Sequence, residues 1–234
     1  MEGVSSQDWI YDQRNFAKVS KHKIRKIVSY LPKGQPLKFL DVGCGDGRFH
    51  CITKHLNYKY HGIDISGVQL NKARDNGLSV KKHDLTKKWP YKNESFDVLL
   101  ASEIIEHLLD TDFFLQECHR VLKKKGTLIL TTPNIAYLGG RLRCLMGRRP
   151  PVIECRVNKH SSGHIRAFSY YDLKSLFKDN KFKVVKYTGS NFYLPFISEK
   201  TKHIGKCCYH LSSLFPKLSS GFIFKAKKLN MVSR

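Results

Sequence analysis

Short apolar segments alternate with amphipathic ones between residues 37 and 134 of this sequence. Strands are predicted at 37–42, 58–66, 78–85, 96–102 and 127–134. Helices are predicted between them at 48–56, 68–77 and 111–126. This alternation predicts an α/β fold, in which a mostly parallel, doubly wound sheet carries helices on both faces.

The remaining segments extend this pattern into a single predicted domain over residues 1–234. Residues 1–36 contain a lead-in helix, predicted at 18–31, and residues 135–168 fit no period and are predicted to form an insertion or lid. Residues 169–234 complete the sheet, with a helix at 169–180 and strands at 182–189 and 221–229.

Composition and charge limit the classes of protein to consider. No run of about eighteen apolar residues is present, and the N-terminus lacks the basic-then-apolar pattern of a secretory signal, so a cytoplasmic location is expected. Residues 135–234 hold 20 Lys and Arg against 4 Asp and Glu, a balance typical of partners such as nucleic acid or an anionic membrane. Because 30 of the 42 basic residues are lysine, a solvated surface explains the charge equally well.

The turn after the first predicted strand, LDVGCGDGRF at 40–49, suggests a ligand site. Its glycines follow the spacing G-x-G-x-G, whereas dinucleotide sites use G-x-G-x-x-G. Asp41 and Asp46 flank these glycines and are poorly suited to phosphates, but they suit a cationic ligand. Asp64 ends the second strand, where an acid can accept hydrogen bonds from both ribose hydroxyls of a nucleoside.

These features together resemble the class I S-adenosylmethionine-dependent methyltransferase family. LDVGCGDGRF is similar to its first motif, and GIDIS, KHDL, FDVLLASEIIEHL and RVLKKKGTLILTTPN are similar to its second to fifth motifs, in order. The resemblance implies a seven-stranded sheet of order 3-2-1-4-5-7-6 with strand 7 antiparallel. A nicotinamide-binding domain is the alternative to this interpretation.

The resemblance also implies a cofactor site in the core at 37–134. Asp41, Gly43 and Gly45, with Asp46, would line the amino-acid end of S-adenosylmethionine, and Ser102 or Glu103 would close its methionine side. The remaining implied contacts are Asp64 and Ile65 at the ribose and Asp84 and Leu85 at the adenine.

The segment EIIEH at 103–107 is the candidate for chemistry at the acceptor. If it is helical, Glu103 lies on one face with Glu106 or His107, and a divalent cation would relieve the repulsion between the two carboxylates. The pattern is similar to the metal-binding motif of ubiquinone-pathway O-methyltransferases and of small-RNA 2′-O-methyltransferases. The RNA enzymes add a later histidine, for which His164 is the candidate. Mg²⁺ or Mn²⁺ would bind Glu103, Glu106, His107 and His164. Alternatively, His107, with Glu106, is catalytic without a metal, or the segment only caps and orients a helix.

The acceptor is left open by the sequence. Arg141, Arg143, Arg148 and Arg149 in the insertion could bind a phosphate or an anionic membrane surface, or they could face water on a lid. The resemblance to ubiquinone/menaquinone-like and glycan-associated methyltransferases favours O-methylation of a small molecule, a saccharide or a lipid-linked acceptor. RNA methylation, of a ribose 2′-hydroxyl or a base, and a non-catalytic cofactor-binding role are the alternatives.

Overall fold

Seven strands form one sheet in the computed structural model, which describes residues 21–33, 36–154, 162–192 and 210–229. The spatial order is β3-β2-β1-β4-β5-β7-β6, and β7 alone runs antiparallel to its neighbours β5 and β6. The strands are β1 Leu37–Val42, β2 Tyr58–Asp64, β3 Val80–Lys82, β4 Phe96–Ser102, β5 Leu122–Pro133, β6 Phe182–Gly189 and β7 Gly221–Lys228. The predicted fold class and strand order are confirmed.

Six α-helices that lie wholly within the described ranges connect or cover the strands. They are α1 Lys21–Tyr30, α2 Arg48–Thr53, α3 Gly67–Asp75, α4 Thr111–Val121, α5 Leu138–Leu145 and α6 Tyr170–Asp179. Polar side chains fix three of their starts: Ser66 caps α3, Asp110 caps α4, and Ser169 forms a capping box with Asp172 at α6. Each cap satisfies a backbone amide that the helix leaves without a partner, and each contributes about 1 kcal/mol.

Buried apolar residues lie on both faces of the sheet, as a doubly wound fold requires. On one face, Ile27 and Tyr30 of α1 join a cluster that includes Phe39 of β1. On the other face, Phe114 of α4 and Phe177 of α6 join the larger cluster. Each fully buried side chain of this size stabilises the fold by about 1.5–3 kcal/mol, so the two clusters hold the sheet from both sides.

The predicted helix at 111–126 is too long. The structure ends α4 at Val121, and β5 begins at Leu122, which pairs with Phe96 of β4. Leu122 is fully buried in this extended conformation, and Lys123 binds the carboxylate of Asp97 across the strands. Packing against β4 therefore overrides the helical tendency of the three lysines.

Two further segments differ from expectation. The segment 103–107 is not one helix, because Glu103 has a positive φ of 58° and only Ile105–His107 forms a 3-10 turn. The insertion contains α5, which the sequence pattern did not predict, and residues 155–161 of that insertion lie outside the described residues. The start of the predicted lead-in helix, 18–20, also lies outside them.

The carboxyl ends of β1, β2 and β4 meet at one edge of the sheet. Asp41 lies opposite Gly62 of β2 in the register, and Val42 lies opposite Ala101 of β4. The chain leaves β1 through a turn in which Gly43 N donates to Ile63 O at 2.8 Å. None of the helices in the described ranges is long and apolar enough to cross a membrane.

Candidate functional site

The glycine turn after β1 is held in the left-handed region of backbone space. Gly43, Gly45 and Gly47 have φ values of 74°, 52° and 74°. A Cβ on Gly43 would lie 2.0 Å from the Ile104 side chain, so this glycine is required for packing. A Cβ on Gly45 would meet no atom within 4 Å, so the space above this residue is open to a ligand.

Asp64 ties this turn to the end of β2. Its side chain accepts hydrogen bonds from Gly45 N and from Ser66 N, each at 2.8 Å. Asp64 is almost completely buried, whereas Ile65 beside it is half-buried. The structure therefore places Asp64 next to the open side of Gly45, and its contact with a ribose stays a prediction.

Asp41 is a second buried acid at the same turn. Its carboxylate accepts a hydrogen bond from the Tyr60 hydroxyl at 3.0 Å. Burial raises the pKa of Asp41 to about 7, the Tyr60 hydrogen bond opposes the rise, and the negative charge of Asp64 adds to it. A cationic group bound here would stabilise the ionised form of Asp41.

The other predicted cofactor contacts occupy more exposed positions. Asp46 forms an ion pair with Arg48 at 2.9 Å, so part of its charge is neutralised within the turn. Asp84 accepts hydrogen bonds from the backbone amide and the hydroxyl of Thr86, which lower its pKa. Leu85 is half-buried and packs against the larger apolar cluster.

Ser102 and Glu103 lie at the end of β4. The Ser102 hydroxyl is 3.0 Å from the Thr131 hydroxyl, which donates to Glu103 Oε1 at 2.7 Å. Lys23 of α1 forms an ion pair with the same Glu103 oxygen at 2.7 Å. The Glu103 side chain is 40% exposed. Its partial burial opposes ionisation, but Lys23 and Thr131 outweigh that effect and lower its pKa.

Glu106 is the middle residue of the 3-10 turn and is 1% exposed. Its Oε2 accepts a hydrogen bond from the Thr132 hydroxyl at 3.0 Å, and its Oε1 lies 4.0 Å from His164 Nε2. Burial, together with the negative charge of Glu103, raises the pKa of Glu106 well above its ordinary value. A carboxylate in this position is therefore stabilised by any cation that reaches it.

His107 and His164 complete the group. The His107 Nδ1–H donates to Gly163 O at 3.0 Å, because a carbonyl can only accept, so Nε2 carries the lone pair. The rings of His107 and His164 lie 5.0 Å apart, and burial lowers the pKa of His107. One ligand atom each from Glu106, His107 and His164 lie within 4.8 Å of one another.

The chemistry of this donor set fits a divalent cation. Three buried side-chain atoms in the described ranges have no hydrogen-bond partner, and two of them, Glu106 Oε1 and His164 Nδ1, belong to this group. One carboxylate and two imidazoles form a ligand set that suits Mn²⁺ or Zn²⁺. Glu103, which was predicted as a fourth ligand, lies outside this group of three and is paired with Lys23.

Several residues of this site were not identified from the sequence. Thr131 and Thr132 stand in the quoted segment TTPN, and their place at the end of a strand was the available signal. Glu154 accepts hydrogen bonds from Ser162 N and Oγ and from Gly163 N. These bonds fix the loop that contains His164 and that supplies the Gly163 carbonyl to His107. Nothing in the sequence pattern pointed to Lys23 or Glu154.

A separate cleft of about 950 Å³ lies away from this site. It opens at the amino end of β4, beside Glu94 and Arg120. Arg120 there donates to the carbonyls of Trp89 and Tyr91 and binds Glu117. Arg120 therefore has structural partners within the protein.

Residues 40–130 match the family model described as Methyltransferase domain. The human mitochondrial ubiquinone biosynthesis O-methyltransferase is 31% identical over 185 residues, which cover 74% of this chain and 49% of that protein. The chain spans from about a third to just under two thirds of the length of such curated relatives. These matches confirm the predicted resemblance to class I S-adenosylmethionine-dependent methyltransferases and support S-adenosylmethionine as the cofactor.

Solved structures support the same fold. An S-adenosylmethionine-dependent methyltransferase from Thermotoga maritima has a TM-score of 0.63 and 23% identity, and the match covers 88% of this chain and 87% of that one. The [4+2]-cyclase SpnF has a TM-score of 0.61 and 18% identity, over 88% of this chain and 80% of that one. Because a protein named as a cyclase shares the fold, the fold alone does not define the activity.

Proposed function

We propose that this class I methyltransferase fold transfers a methyl group from S-adenosylmethionine to a hydroxyl of a small-molecule, saccharide or lipid-linked acceptor. The observation that carries the proposal is the group formed by Glu106 and His107, in the 3-10 turn after β4, and by His164, in the loop before α6. Ile104, which precedes this turn, packs against Gly43 of the glycine turn. In open α/β sheets a ligand binds outside the carboxyl ends of the strands. Cofactor residues and acceptor residues therefore share one edge of the sheet.

In this proposal the turn after β1 orients the cofactor. The sulfonium of the bound cofactor supplies an activated methyl group. Asp64 accepts hydrogen bonds from the ribose, and the open side of Gly45 lets the ligand approach the backbone. Asp41 places a buried negative charge near the cationic end of the cofactor, and Ser102, with Asp84 and Leu85, forms the rest of the predicted site.

The acceptor hydroxyl has to lose its proton as the methyl group is transferred. Without a cation, His107 Nε2 is the available base, since the Gly163 carbonyl fixes the proton on Nδ1. With a cation bound, the same Nε2 would be a ligand instead, and solvent water would take the proton from the acidified hydroxyl. The depressed pKa of His107 keeps the imidazole neutral near pH 7, so that it can accept the proton. The glycine turn and His107 thus orient the cofactor and the acceptor hydroxyl toward each other.

A divalent cation is part of the proposal. Glu106, His107 and His164 would hold it, and it would lower the pKa of an acceptor hydroxyl. Glu154 supports these ligands indirectly, because its carboxylate orders the backbone at Ser162 and Gly163. Such supporting contacts commonly change metal affinity or activity about 10–100-fold.

The lid role of residues 135–168 and the single domain over 1–234 are also proposed. Leu145 and Met146, at the end of α5, are largely exposed beside the insertion's arginines. An exposed apolar and basic surface is compatible with an acceptor held at an anionic membrane, but a lid that closes over a small acceptor explains it equally. A cytoplasmic location stays a prediction.

RNA methylation is the second candidate, and the basic surface is what favours it. Lys183 lies opposite Lys227, and Lys186 lies opposite Lys225, on β6 and β7. In the register with β5, Lys227 lies opposite Thr127 and Lys225 lies opposite Ile129. The candidate site contacts Thr131 and Thr132, which are nearer the carboxyl end of that strand. We therefore favour a small acceptor over RNA.

The test is a labelling experiment with matched histidine variants. Purified protein is incubated with methyl-labelled S-adenosylmethionine and a host extract, with and without chelator, and label is measured in the lipid, soluble, protein and RNA fractions. We expect label in the lipid or soluble fraction, loss on chelation, and a loss of about 100-fold in His107→Gln. His55→Gln, at an exposed histidine outside the site, is the control and should be unchanged. Label in the RNA fraction would show that the acceptor is RNA and not a small molecule. No label in any fraction would favour a non-catalytic role.

A further inference from the structure

Lys23 reaches the candidate site from a different part of the chain. It belongs to the first turn of α1, and its Nζ lies 2.7 Å from Glu103 Oε1. The Lys23 side chain is only 12% exposed. The same Glu103 oxygen accepts the Thr131 hydroxyl at 2.7 Å. Glu103 is therefore already engaged by a cationic group of the protein itself.

The rest of α1 is anchored independently of this contact. Ile27 and Tyr30 are buried in the core on this face of the sheet. The buried Lys26 donates to Gly189 O at 2.8 Å and to Ser212 Oγ at 2.7 Å. A rotation of the Lys23 side chain can thus release Glu103 while α1 stays in place.

Glu103 lies near the proposed ligand Glu106 without belonging to the group of three. The hydroxyls that bind the two carboxylates belong to adjacent residues, Thr131 for Glu103 and Thr132 for Glu106, so both acids lie at the same end of β5. The ammonium of Lys23 and a divalent cation cannot share the Glu103 carboxylate without repulsion. With Lys23 in place, the cation has one carboxylate ligand, Glu106, and without Lys23 it would have two.

We propose that Lys23 is a positioning residue that competes with a divalent cation for Glu103 and so sets the cation affinity of the site. This inference rests on the cation in the proposed function. Because such coupling is reciprocal, a bound cation also loosens the hold of Lys23 on the turn after β4. The ion pair between Lys23 and Glu103 therefore links α1 to the number of carboxylates that bind the cation.

The direction of the effect distinguishes competition from a structural role. If Lys23 only supported the fold, its removal would weaken cation binding. If it competes, Lys23→Met tightens binding by at least about fivefold, the lower end of typical coupling between sites. The increase should disappear when Glu103 cannot act as an anionic ligand.

The experiment is a calorimetric titration of the full chain with Mn²⁺ alone, without acceptor or cofactor. The variants are Lys23→Met, Lys23→Gln, Glu103→Gln and the double variant Lys23→Met with Glu103→Gln. Arg25→Met is the matched control, since Arg25 is exposed on the same helix and its removal changes the net charge equally. We expect tighter binding in both Lys23 variants, no change in Arg25→Met, and no gain from Lys23→Met in the Glu103→Gln background.

Three results would overturn the inference. They are equal or weaker Mn²⁺ binding in both folded Lys23 variants, a gain that persists with Glu103→Gln, or no binding in any variant. Methyl transfer is measured separately in chelator. If transfer continues in chelator while no variant binds Mn²⁺, the competition and the cation fail but the proposed methyl transfer stands.

Discussion

Replacing Asp41 by asparagine should remove most of a stability loss that the wild-type protein undergoes between mildly acidic and neutral pH. Burial raises the pKa of Asp41 from 3.8 to about 7 in the folded state. The folded protein then holds its proton in a pH range where the unfolded chain has released it. Stability falls as pH rises from about 4 to about 7 and is constant above that range. The full loss is about 4 kcal/mol, at about 1.4 kcal/mol per pH unit.

The assay is urea unfolding of both proteins from pH 5 to pH 8, followed by fluorescence of the buried Trp89. About 3 kcal/mol of the Asp41 effect falls in this window. Other titrating groups are common to both proteins, so the difference between their free energies of unfolding isolates Asp41. In the Asp41→Asn variant the amide oxygen can still accept the Tyr60 hydroxyl, so the hydrogen bond at 3.0 Å has a replacement. Parallel pH profiles for the two proteins would refute the argument that burial opposes ionisation of Asp41.

Three further predictions concern the same edge of the sheet. Gly43→Ala should lower the free energy of unfolding, measured in urea, by about 2–4 kcal/mol, since φ is 74° and the new Cβ would overlap the buried Ile104 side chain. Gly45→Ala should lower it by only about 1 kcal/mol, and its main effect should be weaker cofactor binding, measured by calorimetry. Asp64→Asn should weaken S-adenosylmethionine binding at least about tenfold in the same titration, because it removes the charge from the predicted ribose contact; unchanged affinity would contradict the site. Glu154→Gln should lower kcat about tenfold with unchanged cofactor affinity, because Gly163 would no longer hold His107 in place, and equal kcat would show that the loop needs no such support.

The sheet was predictable because its pattern is local. Each strand of the core is a short apolar run, and a turn residue or an acid ends it, so β1, β2 and β4 were found with correct or nearly correct bounds. Asp64 and the glycines follow those strands directly, and the carboxyl ends of parallel strands must meet at one edge. The placement of the candidate cofactor residues therefore needed no tertiary information.

The acceptor side depends on contacts that are distant in sequence. His164 stands near Glu106 because the loop at 162–163 is bound by Glu154 and by His107, and no local pattern encodes that contact. Glu103 was expected on a helix with Glu106. Its positive φ and the hydrogen bond from its backbone amide to Thr131 O turn it instead toward α1. The ion pair with Lys23 spans 80 residues of sequence, so periodicity cannot reveal it.

Buried acidic side chains explain why the cofactor and the proposed metal ion should both be cationic. Asp41, Asp64 and Glu106 are all at most 4% exposed at one edge of the sheet. Desolvation of a carboxylate is unfavourable unless a positive charge or several hydrogen bonds offset it. Asp64 receives two backbone amides, but Asp41 has one neutral hydroxyl, and Glu106 Oε1 has no hydrogen-bond partner. The sulfonium cofactor would offset the desolvation of Asp41, and a divalent cation would offset the desolvation of Glu106. Each of these two ligands should therefore raise the free energy of unfolding when it binds.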